Sequence, residues 1–152
     1  MSGLKTLVIC ISAHHGNTMK VAEKIAKTLG ADMLSPQEVN EEKINEYELI
    51  GFGSGIYNGR HHNALFNSLD KLPELKNKKT FVFSTNTFGL KMLHEEFNKK
   101  LKEKGCIILG DFSCRGFMDY SFTKYLFGGI SKGHPNEKDL ALAKDFVLKI
   151  SK

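Results

Sequence analysis

The residues best equipped for chemistry stand together near the start of the chain, in Ser12-Ala13-His14-His15-Gly16-Asn17-Thr18. Two hydroxyls, two imidazoles, an amide and a glycine follow a short apolar run, and a helix-period segment over 18–29 begins directly after them. The order strand, tight loop, helix leaves unsatisfied backbone N–H groups at the helix start, with the positive end of the helix dipole behind them. A phosphate placed there accepts those hydrogen bonds, and Gly16 lets the backbone approach it. No lysine follows the glycine as a triphosphate-binding Walker loop requires, and the three-glycine spacing of a dinucleotide fingerprint is absent. The expected ligand group is therefore a monophosphate held mainly by N–H and hydroxyl donors. The alternative is a plain strand-to-helix turn capped by Ser12 and Asn17.

Two further stretches share this chemistry. Gly53-Ser54-Gly55-Ile56-Tyr57-Asn58-Gly59-Arg60-His61-His62 follows an apolar run, and so does Ser84-Thr85-Asn86-Thr87-Phe88-Gly89. His14 and His15 either line a polar loop or add charge beside a bound dianion, which favours imidazolium. Arg60-His61-His62 is expected to open a helix, there facing a ligand or solvent. A metal site built on His14, His15, His61 and His62 is disfavoured, since no carboxylate or thiolate has suggestive spacing. Cys114-Arg115-Gly116-Phe117 should follow the last strand; Arg115 could engage a ligand, and Cys114 reads as a buried turn residue rather than a reactive thiol.

The elements that must position these groups can be read from periodicity. Apolar runs at Leu4–Ile11, Ala31–Ser35, Tyr47–Ser54, Thr80–Ser84 and Cys106–Phe112 predict five strands. Between them lie helical patterns: Val21, Ile25 and Leu29 in the first, Leu65, Leu69 and Leu72 in the second (closed by Pro73), and Leu90, Leu93, Phe97 and Leu101 in the third. Gly30 and Gly105 are expected helix C-caps. Residues 37–46 read as an acidic loop with a helical turn, and 113–133 as an irregular aromatic-rich segment. A last helix is expected from Pro135, burying Leu140, Ala143, Val147 and Ile150. Five strands alternating with four helical patterns call for a parallel sheet covered on both faces. In such a sheet ligands sit beyond the carboxyl ends of the strands, so the loops 12–18, 53–62 and 84–89 should form one site.

Composition sets the bounds. The 152 residues, 41% hydrophobic, support one domain spanning 1–152. No apolar run approaches the roughly 18–20 residues of a membrane span, and the opening residues lead straight into strand-like sequence rather than a signal peptide. Cys10, Cys106 and Cys114 form no paired framework, which suits a reducing, cytoplasmic setting. Residues 1–76 carry 8 Lys/Arg against 9 Asp/Glu, whereas residues 77–152 carry 14 against 8. That asymmetry reflects either solvated helix faces or a basic face that steers an anionic partner. The lysines lack interleaved aromatics, so nucleic acid is not an expected partner. A receiver-type phosphorylation domain is excluded, because the required acidic positions hold Ser12-Ala13-His14 and Gly53-Ser54.

Ser12 through Thr18, followed by Val21-Ala22-x-x-Ile25-Ala26, resembles the FMN-phosphate loop and first helix of the flavodoxin family. The resemblance runs over nearly the whole chain. It implies a flavodoxin-like α/β three-layer sandwich with a five-stranded parallel sheet in the order 2-1-3-4-5. It also implies non-covalent FMN, with the phosphate at Ser12, Ala13, His14, His15, Gly16, Asn17 and Thr18. The flavin ring would lie between Ser54, Gly55, Ile56, Tyr57, Asn58 and Gly59 on one side and Ser84, Thr85, Asn86, Thr87, Phe88 and Gly89 on the other. Tyr57, Ile56 or Phe88 would cover the ring, since the Gly-Asp-x-x-x-Tyr pattern of many carriers is absent. The serine stands one residue earlier than in Ser/Thr-x-Thr-Gly-Asn-Thr, and His15 replaces the threonine before glycine. That longer form is also similar to flavodoxin-domain oxidoreductases, including the protoporphyrinogen-oxidase-like group. The implied function is electron transfer between redox partner proteins. The alternatives are an FMN-dependent oxidoreductase acting on a quinone or protoporphyrinogen-like acceptor, and a cofactor-free binding module.

Overall fold

The computed structural model describes residues 4–11, 16–57, 60–86, 94–115 and 135–151. Strand β1 (Thr6–Ile11) leads to helix α1 (Asn17–Leu29), β2 (Asp32–Leu34), a 3₁₀ turn (Pro36–Glu38) and the short α2 (Glu41–Asn45). Then come β3 (Leu49–Tyr57), β4 (Arg60–His61), α3 (Asn63–Asp70), β5 (Lys79–Asn86), α4 (Glu95–Glu103), β6 (Ile107–Arg115) and α5 (Glu137–Ile150).

Five parallel strands lie in the order β2-β1-β3-β5-β6, the arrangement the resemblance implies. One addition to it is β4, which turns back antiparallel on β3 with Ile56 opposite His61 and Tyr57 opposite Arg60. The expected loop 53–62 is thus corrected: β3 runs three residues past Ser54, and Arg60-His61 belong to a hairpin rather than to the start of a helix. Similarly, β5 extends to Asn86, and β6 extends to Arg115, so Cys114-Arg115 lie within the strand instead of after it. Helix α3 stops at Asp70 rather than at Pro73, although Leu72 stays buried. The last helix starts at Glu137, behind Asn136, whose side chain accepts from the Asp139 N–H while Asp139 answers on the Asn136 N–H.

The sheet separates two cores, as the alternation of side chains along each strand requires. On one face, Leu7, Ile9, Ile50, Phe52 and Val82 pack against Leu65, Phe66 and Leu69 of α3 and Phe97 and Leu101 of α4. On the other, Val8, Cys10, Phe81, Phe83 and Phe112 meet Val21, Ala22 and Ile25 of α1 and Ala143 and Val147 of α5. Gly51 and Gly53 lie inside β3, as the apolar run Tyr47–Ser54 predicts, and a Cβ on Gly53 would sit 2.1 Å from the Phe83 ring. Their missing side chains are the slots into which Phe81 and Phe83 fit.

One irregularity bears on the site. Thr80 of β5 pairs with Ile108, but its successor Phe81 pairs with Gly110, so Leu109 is an extra residue in β6. Leu109 packs in the α1/α5 core, and a Cβ on Gly110 would also meet Phe146 of α5. Two successive positions therefore face one side, and the alternation beyond them is reversed. Asp111 and Ser113 consequently face α4.

Candidate flavin site

The carboxyl ends of β1, β3 and β5 and the start of α1 converge at one edge. Gly16 takes φ +64 as the residue before α1, and a Cβ there would meet nothing within 4 Å. The residue at the N-cap position is this glycine, which has no side chain with which to cap the helix. An anion approaching there would meet the positive end of the helix. Asn17 and Thr18 are buried at 7% and 1% exposure, and the Thr18 hydroxyl lies 2.7 Å from that of Thr85. That bond ties the end of β5 to the first turn of α1. Ser12, Ala13, His14 and His15 lie outside the described residues.

One residue row inside the edge is a polar layer. Ser54 of β3 pairs with Ser84 of β5, and Ser84 with Ser113 of β6. Ser54 is fully buried; its hydroxyl donates to the Gly55 carbonyl at 2.7 Å and accepts the His62 N–H at 3.0 Å. It thereby staples the β3–β4 hairpin. Ser84, also fully buried, lies 2.6 Å from His94 Nε2, whose Nδ1 is 2.8 Å from Asp111 Oδ2. Asn86 donates to Ser113 Oγ at 2.8 Å. Gly55 and Thr85 are the next pair outward, with Ile56 buried beyond Gly55. The backbone of Tyr57 closes β3; Asn58, Gly59, Thr87, Phe88 and Gly89 lie outside the described residues.

The basic trio is divided among three tasks. Arg60 pairs with Glu96 at 2.7 Å and lies over the Phe66 ring at 4.1 Å. His61 is 1% exposed, with its ring 4.9 Å from His94 and 5.3 Å from Phe97. Burial, and secondarily the neighbouring His94, push its pKa down to about 3, so it is neutral at physiological pH. His62 caps α3, its Nδ1 accepting the Ala64 N–H at 2.9 Å. Among the described residues no group of three or more His, Cys, Asp or Glu is placed to hold a metal ion. The reactive-thiol alternative for Cys114 is overturned, since burial pushes its pKa up to about 12.

His94, Asp111 and Ser113 are site-edge residues that the sequence reading overlooked. Their signal was available in one case: Asp111 is a lone carboxylate in the otherwise apolar run Ile107-Ile108-Leu109-Gly110-Asp111-Phe112. His94 lay hidden inside a helical pattern.

The residues present suit an FMN-sized ligand. A helix start at Gly16 fits the phosphate, and the described strand ends beside it offer hydroxyl, amide and backbone groups. Gly16, Asn17 and Thr18 would hold the phosphate end, and the β3 and β5 ends the ring.

Comparison with known proteins agrees with this architecture. Residues 8–121 match the flavodoxin domain family. An uncharacterized protein of Methanocaldococcus jannaschii is 48% identical over 151 residues, covering 98% of this chain and 99% of the relative. Among solved structures, oxidised Flavodoxin 2 from Bacillus cereus superposes with a TM-score of 0.72 at 18% identity, over 97% of each chain. A flavodoxin from the domain Archaea gives 0.68 at 17% identity, over 97% of this chain and 96% of that one. Among the described residues no helix is long and apolar enough to cross a membrane. With the family match spanning most of the chain and the strand order on which it rests, the protein belongs to the flavodoxin domain family.

Proposed function

We propose that this chain binds FMN non-covalently and carries electrons between redox partner proteins. One observation carries the reading: the glycine-capped start of α1 lies at the same sheet edge as the polar ends of β3 and β5, joined by the Thr18–Thr85 hydroxyl pair. Bound FMN would supply the redox chemistry. The chain's own contribution is to hold the phosphate on helix N–H groups and to fix the ring against rigid strand ends. Adding FMN to the flavin-free protein and following the visible spectrum tests this. Uptake should shift the flavin bands, and stepwise reduction should proceed in two resolved one-electron stages. Replacing Asn17 and Thr18 with Ala should weaken FMN affinity at least tenfold, because each removes groups at the phosphate end; unchanged affinity would refute the assignment.

A second reading is favoured by the basic balance of residues 77–152. In it the protein is an FMN-dependent oxidoreductase that reduces or oxidises a quinone-like or porphyrinogen-like small molecule. A surplus of positive charge favours an anionic reduced cofactor and anionic substrates. Steady-state turnover of NAD(P)H with a quinone by the isolated protein supports this second reading. Activity that appears only with a protein partner supports the first. A protein that takes up no FMN would instead be a cofactor-free binding module.

A further inference from the structure

Where β5, β6 and α4 meet beneath the sheet edge, five polar side chains form one hydrogen-bonded chain. His94 Nδ1 lies 2.8 Å from Asp111 Oδ2, and Nε2 lies 2.6 Å from Ser84 Oγ. Ser84 Oγ is 3.1 Å from Ser113 Oγ, which accepts from Asn86 Nδ2 at 2.8 Å. His94 and Ser84 are fully buried, whereas the Asp111 side chain keeps 27% of its surface exposed. Asp111 and Ser113 line a cleft of about 380 Å³ between β6 and α5, together with Asp145 and Lys149. The chain of bonds therefore meets water at one end and reaches Asn86, the last residue of β5, at the other.

The donors in this chain are ordered. An ionised carboxylate only accepts, so Nδ1 carries a hydrogen and donates to Asp111. In neutral His94 the Nε2 lone pair then accepts the Ser84 O–H. Ser84 in turn accepts from the Ser113 O–H, and Ser113 from the Asn86 amide. Every donor points from Asn86 toward Asp111. A proton added at Nε2 reverses the two hydroxyls: Nε2–H donates to Ser84, the Ser84 O–H donates to Ser113, and the Ser113 hydrogen is released as a donor at the edge. Both arrangements satisfy every buried group and differ by a single proton.

The Asp-His-Ser order also suggests a nucleophilic triad. Ser84 is fully buried inside a central strand, out of reach of any acyl group. The described groups that face His94 include His61 from β4, Asp111 from β6 and the Ser84 hydroxyl of β5. His61 stays neutral, and Arg60 and Glu96 neutralise one another at 2.7 Å.

We propose that His94 is a positioning residue that takes up one proton from solvent when the site at the end of β5 gains negative charge, and that the reversed hydroxyl chain then turns Ser113 into a donor there. This rests on the FMN reading above. The electron comes from the redox partner and the proton from water in the cleft that Ser113 lines; a new O–H bond forms at Ser113 as its old hydrogen passes to Ser84 and that of Ser84 passes to Nε2, and Asp111 balances the new charge.

Nitrogen NMR of the His94 ring across pH, in FMN-loaded protein in its oxidised and fully reduced states, tests the proposal. The titration midpoint should rise by at least one pH unit on reduction, a tenfold gain in proton affinity. Asp111→Asn removes the balancing charge, so it should lower the midpoint in both states and shrink the reduction-linked gain below threefold. A purely structural His94 would show the same midpoint in both states, which overturns the proposal. A protein that takes up no FMN, seen first in an unshifted visible spectrum, overturns the cofactor reading and this proposal with it. FMN bound beside a redox-insensitive His94 overturns this proposal alone.

Discussion

Acidification below neutrality should unfold this protein sooner than its carboxylates alone would bring about, and His61 is the reason. The ring is 1% exposed; Nε2 makes only a long 3.4 Å contact with the Phe83 carbonyl, and Nδ1 has no partner. Burial, with a smaller contribution from His94, takes its pKa from 6.5 to about 3 in the folded state. The unfolded chain therefore binds a proton near pH 6.5 that the folded chain refuses until near pH 3. His61 costs nothing above 6.5, and stability is lost as pH falls through that window at about 1.4 kcal/mol per unit. Between pH 6.5 and 5, before most carboxylates titrate, the loss is about 2 kcal/mol. Against a total of about 5–15 kcal/mol for a domain, that is readily measured. His61→Phe keeps a ring against Phe97 and removes the titrating group. Urea unfolding at half-unit pH intervals should place the variant within about 1 kcal/mol of wild type at pH 8. It should lose about 2 kcal/mol less than wild type between pH 6.5 and 5. Parallel curves over that interval would refute the reasoning.

Other perturbations follow from the packing. Gly53→Ala forces a methyl group to 2.1 Å from the Phe83 ring, so urea unfolding should show a loss of about 1–3 kcal/mol; unaltered stability would mean the ring yields freely. Cys10, Cys106 and Cys114 are buried, with pKa values pushed up to about 12, 11 and 12. Folded protein should resist maleimide at pH 7, whereas urea-unfolded protein should label at all three cysteines by mass spectrometry. Rapid labelling of the folded state would contradict the burial of at least one thiol.

Much of the fold was legible because it is local. Helix α1 announces itself through Val21, Ala22, Ile25, Ala26 and Leu29, and Gly30 ends it at φ +64, donating to the Ala26 carbonyl. The strands of the central sheet are apolar runs, and their order follows from the family resemblance. Their ends were misjudged where polar residues continue a strand. Gly55, Thr85 and Asn86 read as loop by composition, yet Gly55 pairs with Thr85 across β3 and β5 and Asn86 with Arg115 across β5 and β6, because the neighbouring strands satisfy their backbone groups. The dipeptide Asn58-Gly59 between β3 and β4 is a hairpin signal that the reading passed over.

For the site, residue types determined that phosphate-compatible, hydroxyl-rich groups would gather at one sheet edge, since a parallel α/β sheet sends its strand ends there. Sequence could not say which hydroxyls are engaged beneath that edge. Alternation along β6, counted from Ile108, would put Asp111 on the α1/α5 side, away from His94. The extra residue Leu109 reverses the count, because β5 pairs Thr80 with Ile108 and Phe81 with Gly110. A bulge depends on how two distant strands align and on the space that Phe146 leaves beside Gly110, and no local pattern encodes it. Only the tertiary structure places the carboxylate against the imidazole.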